Sequence, residues 1–146
     1  MIFSEDSRVK IPCILHLMRL GYRYLSLKGA TWDEETNIFP ELFNDAIARI
    51  NPDLGADDIT RLLTDVKLLL DNEDLGKAFY DRLVERSGAR LIDFEKFDNN
   101  SFHVVTELTC KNGDDEFRPD ITLLINGMPL AFIEVKKPNN REGVLA

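Results

Sequence analysis

The sequence predicts an α+β fold with a helical first part and a strand-rich second part. Up to about residue 88, apolar side chains recur at the three- and four-residue spacing of amphipathic helices. After residue 88, short runs rich in valine, isoleucine and threonine lie between turn residues, which is typical of strands. Because strands follow helices instead of alternating with them, the pattern favours a mainly antiparallel sheet flanked by helices.

A length of 146 residues fits one domain. We therefore predict a single domain over 1–146, with the helical part at about 1–88 and the strand-rich part at about 89–137.

Residues that begin or end helices define four predicted helices in the first part. Pro12 requires the first helix to begin near residue 10 or to bend there, and Gly21 is a suitable C-terminal cap. Pro40 is well placed to open the second helix. The four predicted helices cover residues 9–20, 40–50, about 57–71 and about 74–87.

The second part begins with two predicted strands. They cover residues 90–94 and 102–110, with a turn at 98–101 between them. Two further strands surround Asn126-Gly127, a dipeptide typical of hairpin turns.

The hydropathy pattern, the cysteine count and the net charge argue against several classes of protein. No apolar run approaches the ~20 residues of a membrane-spanning helix, and the N-terminus lacks the pattern of a signal peptide. Two cysteines, Cys13 and Cys110, match no metal-binding spacing and are predicted to be free thiols of a cytosolic protein. The net charge of −8 argues against an independent, non-specific DNA binder, although a domain tethered to other DNA-binding parts escapes that objection.

The length of the hairpin loop decides which side chains share a face. A two-residue loop pairs residue 125 with residue 128 and places Asp120 among Ile133 and Val135. A three-residue loop pairs residue 124 with residue 128 and places Asp120 on the face of Glu134 and Lys136. We expect the three-residue loop, because it unites the apolar side chains of both strands on one face. Those side chains are Ile121, Leu123, Ala131, Ile133 and Val135.

In that register, two carboxylates and a lysine converge at the open end of the hairpin. Asp120, Glu134 and the backbone carbonyl of Val135 could hold one Mg²⁺, which acts as a Lewis acid on a phosphate and activates a bound water. Lys136 would position that water and offset the charge on phosphorus. The alternative is a surface hairpin whose Glu134 and Lys136 form a solvated pair.

An acidic residue two positions before a lysine is common by chance. Asp65-Val66-Lys67 has the same spacing, but it falls in a predicted helix, where residues two apart point in different directions. The added Pro119-Asp120 on the partner strand distinguishes the hairpin.

These residues resemble a known family. Pro119-Asp120 followed by Glu134-Val135-Lys136 across a hairpin is similar to the motif of the PD-(D/E)xK nuclease superfamily. The longer string from Arg118 through Ile125-Asn126-Gly127-Met128-Pro129-Leu130 to Lys137 resembles the N-terminal nuclease domain of type I restriction enzyme R subunits. The stretches 91–94 and 100–105 are similar to that family too.

The resemblance implies a restriction-endonuclease-like core and an Mg²⁺-dependent double-strand DNA endonuclease. Asp120 and Glu134 fall on its metal-ligand positions and Lys136 on its catalytic lysine. A further glutamate that the family carries early in its first helix would be Glu5, with Glu107 as the alternative. Lys137 and Arg141 follow the site and are candidates for contacts with DNA phosphates.

The resemblance also sets the expected context. The family continues into a helix with a Gln/Tyr motif where this chain ends, and the chain contains no Gly-x-x-x-x-Gly-Lys-Ser/Thr motif for ATP. We therefore expect a fragment truncated at its C-terminus, inactive by itself, with ATP bound only by a motor domain outside this chain.

The partners implied are double-stranded DNA and the modification and specificity subunits of a restriction complex in the cytoplasm of a bacterium or archaeon. The alternative function is a catalytically silent domain that docks partners or DNA in the same kind of assembly.

Overall fold

A computed structural model describes residues 9–71, 74, 76–112 and 114–136. The chain divides into two compact units. The first, called the sheet unit here, is drawn from Met1–Ala30, Phe102–Leu124 and Pro129–Ala146. The second, the helical unit, is drawn from Thr31–Ser101 and Ile125–Met128. No helix in the described part of the chain is both long and apolar enough to cross a membrane.

The described residues of the sheet unit form one α-helix and six strands. The last two strands reach the residues of the hairpin turn. Helix α1 (Ile11–Arg19) places Pro12 in its first turn, which is the first of the two predicted alternatives. Strands β1, β2, β5 and β6 form a four-stranded sheet in the order β1-β2-β5-β6, and β3 and β4 form a separate antiparallel pair. The elements are α1 Ile11–Arg19, β1 Arg23–Tyr24, β2 Phe102–Thr106, β3 Cys110–Asn112, β4 Asp115–Phe117, β5 Ile121–Ile125 and β6 Met128–Ile133.

The strand pairing differs from the prediction in two ways. The sheet is mixed, because β1 runs parallel to β2 and pairs Arg23 with His103. The strand predicted over 102–110 is also divided. Glu107 takes a positive φ of 63°, which ends β2 and lets the chain leave the sheet to form the β3–β4 pair.

The core of the sheet unit lies on the inner side of α1. Leu17, Val104, Ile121 and Val135 are buried together. Val9, Cys13, Ile14, Tyr22, Leu123 and Ile133 pack around them, partly buried. Only part of the apolar pattern of α1 is buried, because Ile11, Leu15, Met18 and Leu20 are exposed.

The helical unit contains α2 (Pro40–Ile50), α3 (Ala56–Leu70) and α4 (Lys77–Leu83). The bounds of α2 agree with the prediction, and α3 is displaced by one residue. The fourth helix is shorter than predicted, since it begins only after Gly76, which has a φ of 83°. The buried side chains on these helices are Phe43, Ala46, Ile47, Ile50, Ile59, Leu62, Val66 and Phe79.

The strand predicted over 90–94 is wrong. Asp93 forms a turn instead, because its Oδ1 accepts hydrogen bonds from the backbone N–H groups of Glu95 and Lys96. The side chain of Asn100 bonds both the N–H and the carbonyl of Asp93, at 2.9 Å each. Side chains therefore satisfy backbone groups that a neighbouring strand would otherwise pair.

The hairpin between β5 and β6 is confirmed, but the expected three-residue loop is wrong. β5 ends at Ile125 and β6 begins at Met128, with φ of 53° at Asn126 and 77° at Gly127. Two consecutive residues of positive φ form the two-residue type I′ turn. This two-residue loop is the alternative that the apolar pattern of the strands disfavoured.

The apolar face predicted from the three-residue register nevertheless forms in part. Ile121, Leu123, Ile133 and Val135 belong to one core cluster. An unbroken two-residue hairpin would pair Ile121 with Phe132 and put Ile133 on the other face. The cluster thus gathers side chains that strict alternation from this turn would separate. Asp120 lies beside Val135, as the two-residue register predicts.

Candidate active site

The open end of the β5–β6 hairpin brings the two halves of the sequence motif together. Asp120 directly precedes β5, and Glu134-Val135-Lys136 directly follows β6. The Oδ2 atom of Asp120 accepts a hydrogen bond from the backbone N–H of Val135 at 3.0 Å. The carboxylate of Asp120 therefore lies against the peptide that joins Glu134 to Val135.

Burial separates the middle residue of the triplet from its two neighbours. Val135 is only 6% exposed and belongs to the core of the sheet unit, whereas Glu134 and Lys136 on either side are exposed. Anchoring Val135 fixes the backbone at this point and directs both charged side chains away from the core. Carboxylate, backbone and ammonium groups are thus present at one accessible edge.

The described part of the chain offers a small set of metal ligands. Within residues 9–71, 74, 76–112 and 114–136, no three His, Cys, Asp or Glu side chains are grouped closely enough to hold a metal ion. Three predicted site residues, Glu5, Lys137 and Arg141, lie outside the described residues. The described ligand candidates at the edge are therefore Asp120, Glu134 and the carbonyl of Val135.

A group of charged residues near the site was only partly predicted from the sequence. Glu107 is the alternative candidate for a further metal ligand, but its Oε1 accepts a hydrogen bond from Lys10, and its Oε2 forms an ion pair with Arg118 Nε at 3.1 Å. Lys10 is 5% exposed, although the sequence pattern assigns it no role. Its partner is 97 residues away in the chain, so no local pattern could have indicated the pair.

The remaining titratable groups indicate structural roles. Both cysteines are free, as predicted, and burial raises the pKa of the Cys110 thiol. Burial, followed by the charge of Arg23, lowers the pKa of His103. In the helical unit, a hydrogen bond from Lys67 lowers the pKa of Asp33, and the two groups form an ion pair at 2.8 Å. Lys67 of the chance Asp65-Val66-Lys67 triplet is thereby used for a helix-to-loop contact.

Comparison with known proteins places these observations in a family. Residues 2–144 match the family described as the type I restriction enzyme R protein N terminus. The chain therefore belongs to the family of N-terminal domains of type I restriction enzyme R proteins, as its motifs indicated. No solved structure matches the chain.

Two relatives are similar over most of the chain. One is named the MjaIXP endonuclease subunit of a type I restriction enzyme of Methanocaldococcus jannaschii, 30% identical over 95% of this chain and 16% of its own length. The other is the HindI endonuclease subunit of Haemophilus influenzae, 32% identical over 76% of this chain and 12% of its own length. The chain thus spans less than a fifth of each relative.

Proposed function

We propose that the chain is the Mg²⁺-dependent endonuclease domain of a type I restriction R subunit, which hydrolyses phosphodiester bonds in double-stranded DNA. The observation that carries this proposal is the hydrogen bond from the Val135 N–H to Asp120, because it joins the two halves of the motif at an exposed edge. The restriction-enzyme family and the names of the relatives support the same activity.

The residues at this edge suit Mg²⁺. The ion prefers oxygen ligands, and proteins often supply only one or two carboxylates while water and substrate phosphates complete its shell. Asp120 and Glu134 provide two carboxylates, and the chain position of Val135 adds a backbone carbonyl. One Asp120 oxygen is engaged with the Val135 N–H, so the other is the one expected to face the ion.

The chain's own groups have separate roles in the proposed reaction. When bound, Mg²⁺ would supply Lewis acidity toward a phosphate oxygen and lower the pKa of a water. Asp120, Glu134 and the Val135 carbonyl would hold it, while the buried Val135 side chain keeps that backbone in place. The ammonium of Lys136 would orient the attacking water and offset negative charge developing on the phosphate.

The proposed partners follow from the charge and from the length of the relatives. With a net charge of −8, this chain is poorly suited to attract DNA by itself, so DNA would be delivered by other parts of a restriction complex. We propose that the modification and specificity subunits and an ATP-driven motor supply this delivery in the cytoplasm. Arg141 and Lys137 are the proposed phosphate contacts, and Glu5 is the proposed additional metal ligand.

Metal binding and cleavage test the catalytic role. We expect calorimetry with Mn²⁺ on the 146-residue chain to detect a site that Asp120→Ala abolishes. In a complete R subunit that carries this chain, Lys136→Ala should reduce DNA cleavage at least about 100-fold and leave ATP-driven translocation intact, because the lysine acts only at the phosphate.

The helical Asp-x-Lys triplet provides the matched control. Asp65→Ala removes an exposed carboxylate with the same spacing to a lysine and should change neither metal binding nor cleavage. If Asp120→Ala and Asp65→Ala bind Mn²⁺ as the unchanged chain does, the catalytic proposal is wrong. Loss of both cleavage and translocation in Lys136→Ala would instead indicate a folding defect.

A second candidate function is a silent docking domain in the same assembly. The observation that favours it lies on α1, where Ile11, Leu15 and Met18 are 49%, 59% and 44% exposed. Their spacing places them along one side of the helix, as in a face that binds another protein. Absence of an Asp120-dependent metal site would leave this function as the better explanation.

A further inference from the structure

One glutamate in the sheet unit connects two cations from distant parts of the chain. Oε1 of Glu107 accepts a hydrogen bond from Lys10 Nζ, and Oε2 forms an ion pair with Arg118 Nε at 3.1 Å. Lys10 lies at the start of α1, whereas Arg118 lies two residues before Asp120. A single carboxylate therefore links the start of the helix to the segment that carries a proposed metal ligand.

The Lys10 arm of this link is buried, which distinguishes it from an ordinary surface ion pair. The lysine side chain is 7% exposed, and burying an ammonium group is unfavourable unless a charged partner compensates it. The Glu107 carboxylate is 47% exposed and provides that charge. A buried cation therefore holds Glu107 from the protein side.

The backbone of Glu107 supports a role for its side chain. Its φ of 63° lies in the left-handed region, which glycine and asparagine adopt more easily than glutamate. Strained non-glycine residues cluster at functional sites, where the side chain is needed despite the strain. At Glu107 the side chain provides both oxygens of the link.

The other end of the link is short and stiff. Arg118 is followed by Pro119, which is buried and whose ring fixes its φ, and then by Asp120. The segment is held at Arg118 by Glu107 and at Asp120 by the N–H of Val135. Only Pro119, whose φ is fixed, separates the backbone of Arg118 from that of Asp120.

We propose that Glu107 is a positioning residue for the nuclease site: through Arg118 it holds the 118–120 segment so that Asp120 faces the Glu134–Val135 peptide. This inference rests on the proposed metal-dependent function. It assigns Glu107 to the support of a metal ligand and not to the metal itself.

Titration of the 146-residue chain with Mn²⁺ tests the proposal without DNA, so any contact of Arg118 with phosphates does not contribute. Glu107→Gln and Arg118→Gln should each weaken Mn²⁺ binding about tenfold, the lower end of the effect of residues that support metal ligands. The double variant should bind Mn²⁺ with the same affinity as either single variant, because both substitutions break the same link. Glu116→Gln, on exposed strand β4, is the matched control and should bind as the unchanged chain does.

A variant that relieves the buried charge separates positioning from folding. Glu107→Gln leaves Lys10 without its carboxylate and should lower Tm, whereas adding Lys10→Met should restore Tm but not Mn²⁺ affinity. Arg118 is 63% exposed, so Arg118→Gln remains informative if the Glu107 variants unfold.

The measurements distinguish failure of the positioning role from failure of the proposed function. Unchanged Mn²⁺ affinity in Glu107→Gln and Arg118→Gln, with binding still abolished by Asp120→Ala, would overturn the positioning role and leave the proposed function standing. Recovery of affinity together with Tm in the Lys10→Met variant would also overturn it, since the role would then be structural. If the unchanged chain binds no Mn²⁺, both proposals fail.

Discussion

The two ends of the β5–β6 hairpin differ in how their polar groups are satisfied. At the turn, Asn126 is fully buried, and its side chain makes hydrogen bonds with Leu91, Asn100 and Ser101. At the open end, Glu134 and Lys136 are exposed, and Asp120 bonds one backbone N–H. The turn is built as a structural anchor, whereas the open end leaves charged groups accessible, as the proposed metal site requires.

One short hairpin thus combines a structural anchor with an exposed charged end. The buried polar groups of the turn stabilise a single conformation because each would be costly to leave unpaired. The exposed groups of the open end contribute little to stability, so they can be selected for chemistry. Substitutions at the two ends should therefore separate stability from function.

The largest expected effect is at Gly127. A Cβ at this position would lie 2.6 Å from the carbonyl oxygen of Phe39 and 2.7 Å from the nitrogen of Phe43. Both are backbone atoms that cannot rotate away, so Gly127→Ala should lower the free energy of unfolding by about 4 kcal/mol or more. Urea unfolding followed by circular dichroism measures the change.

Two control substitutions should lose less unfolding free energy than Gly127→Ala. Gly88 also has a left-handed φ, of 69°, but a Cβ added there would meet no described atom within 4 Å, so Gly88→Ala should cost only about 1–2 kcal/mol. Glu134→Gln at the open end should change stability by less than about 0.5 kcal/mol. If Glu134→Gln lost as much unfolding free energy as Gly127→Ala, the two ends of the hairpin would not differ in their contribution to stability.

A smaller effect is expected at Asn126. Asn126→Ala removes the acceptor of the Ser101 N–H and the donor to the Leu91 carbonyl, both at 2.8 Å, and strands these groups in the interior. The expected loss is about 3 kcal/mol of unfolding free energy, measured as for Gly127. Asn44→Ala, on the exposed side of α2, is the control, and equal losses in the two variants would contradict an anchoring role.

The smallest expected effect is an acid sensitivity of the structure around Asp93. The N–H of Lys96, together with the Asn99 amide and the N–H of Glu95, lowers the pKa of Asp93 below its ordinary value. A carboxyl whose pKa is lower in the folded state stabilises the fold above its unfolded pKa, and this contribution is lost as the pH falls through the folded pKa. The stability difference between the unchanged chain and Asp93→Asn should therefore be largest near pH 7 and shrink below about pH 4.

Unfolding in urea at a series of pH values measures that difference directly. The remaining carboxylates titrate in both proteins, so their effects cancel in the comparison. A difference that stays constant from about pH 7 to about pH 3 would show that the charge of Asp93 does not stabilise this turn.

Much of the fold follows from local patterns, and the wrong predictions have physical causes. α2 was located within its observed bounds, because Pro40 opens it and its apolar residues repeat at helical spacing. The strand expected at 90–94 does not form because the side chains of Asp93 and Asn100 satisfy its backbone. The strand expected at 102–110 is divided because Glu107 takes a left-handed φ, which its residue type does not signal.

The sequence names the residues of the candidate site but not the residues that surround them. Asp120 and Glu134-Val135-Lys136 could be named because each lies at a fixed distance from an Asn-Gly turn along a predicted strand. The register could not be decided correctly, since the apolar pattern favoured a loop that the turn residues do not adopt. Lys10 and Glu107 could not be paired, because their contact depends on how α1 and the end of β2 pack.

Residue spacing and local motifs are enough to give the α+β class, the buried faces of α2 and α3, the hairpin and the family. The two-residue loop follows the local preference of Asn126-Gly127, against which the apolar pattern of the strands argued. The tertiary structure was needed for the parallel β1–β2 pair and for the Lys10–Glu107–Arg118 link, for one physical reason. Hydrogen bonds and charges between residues far apart in the chain have energies that exceed local preferences, and no local pattern records which distant partner is available.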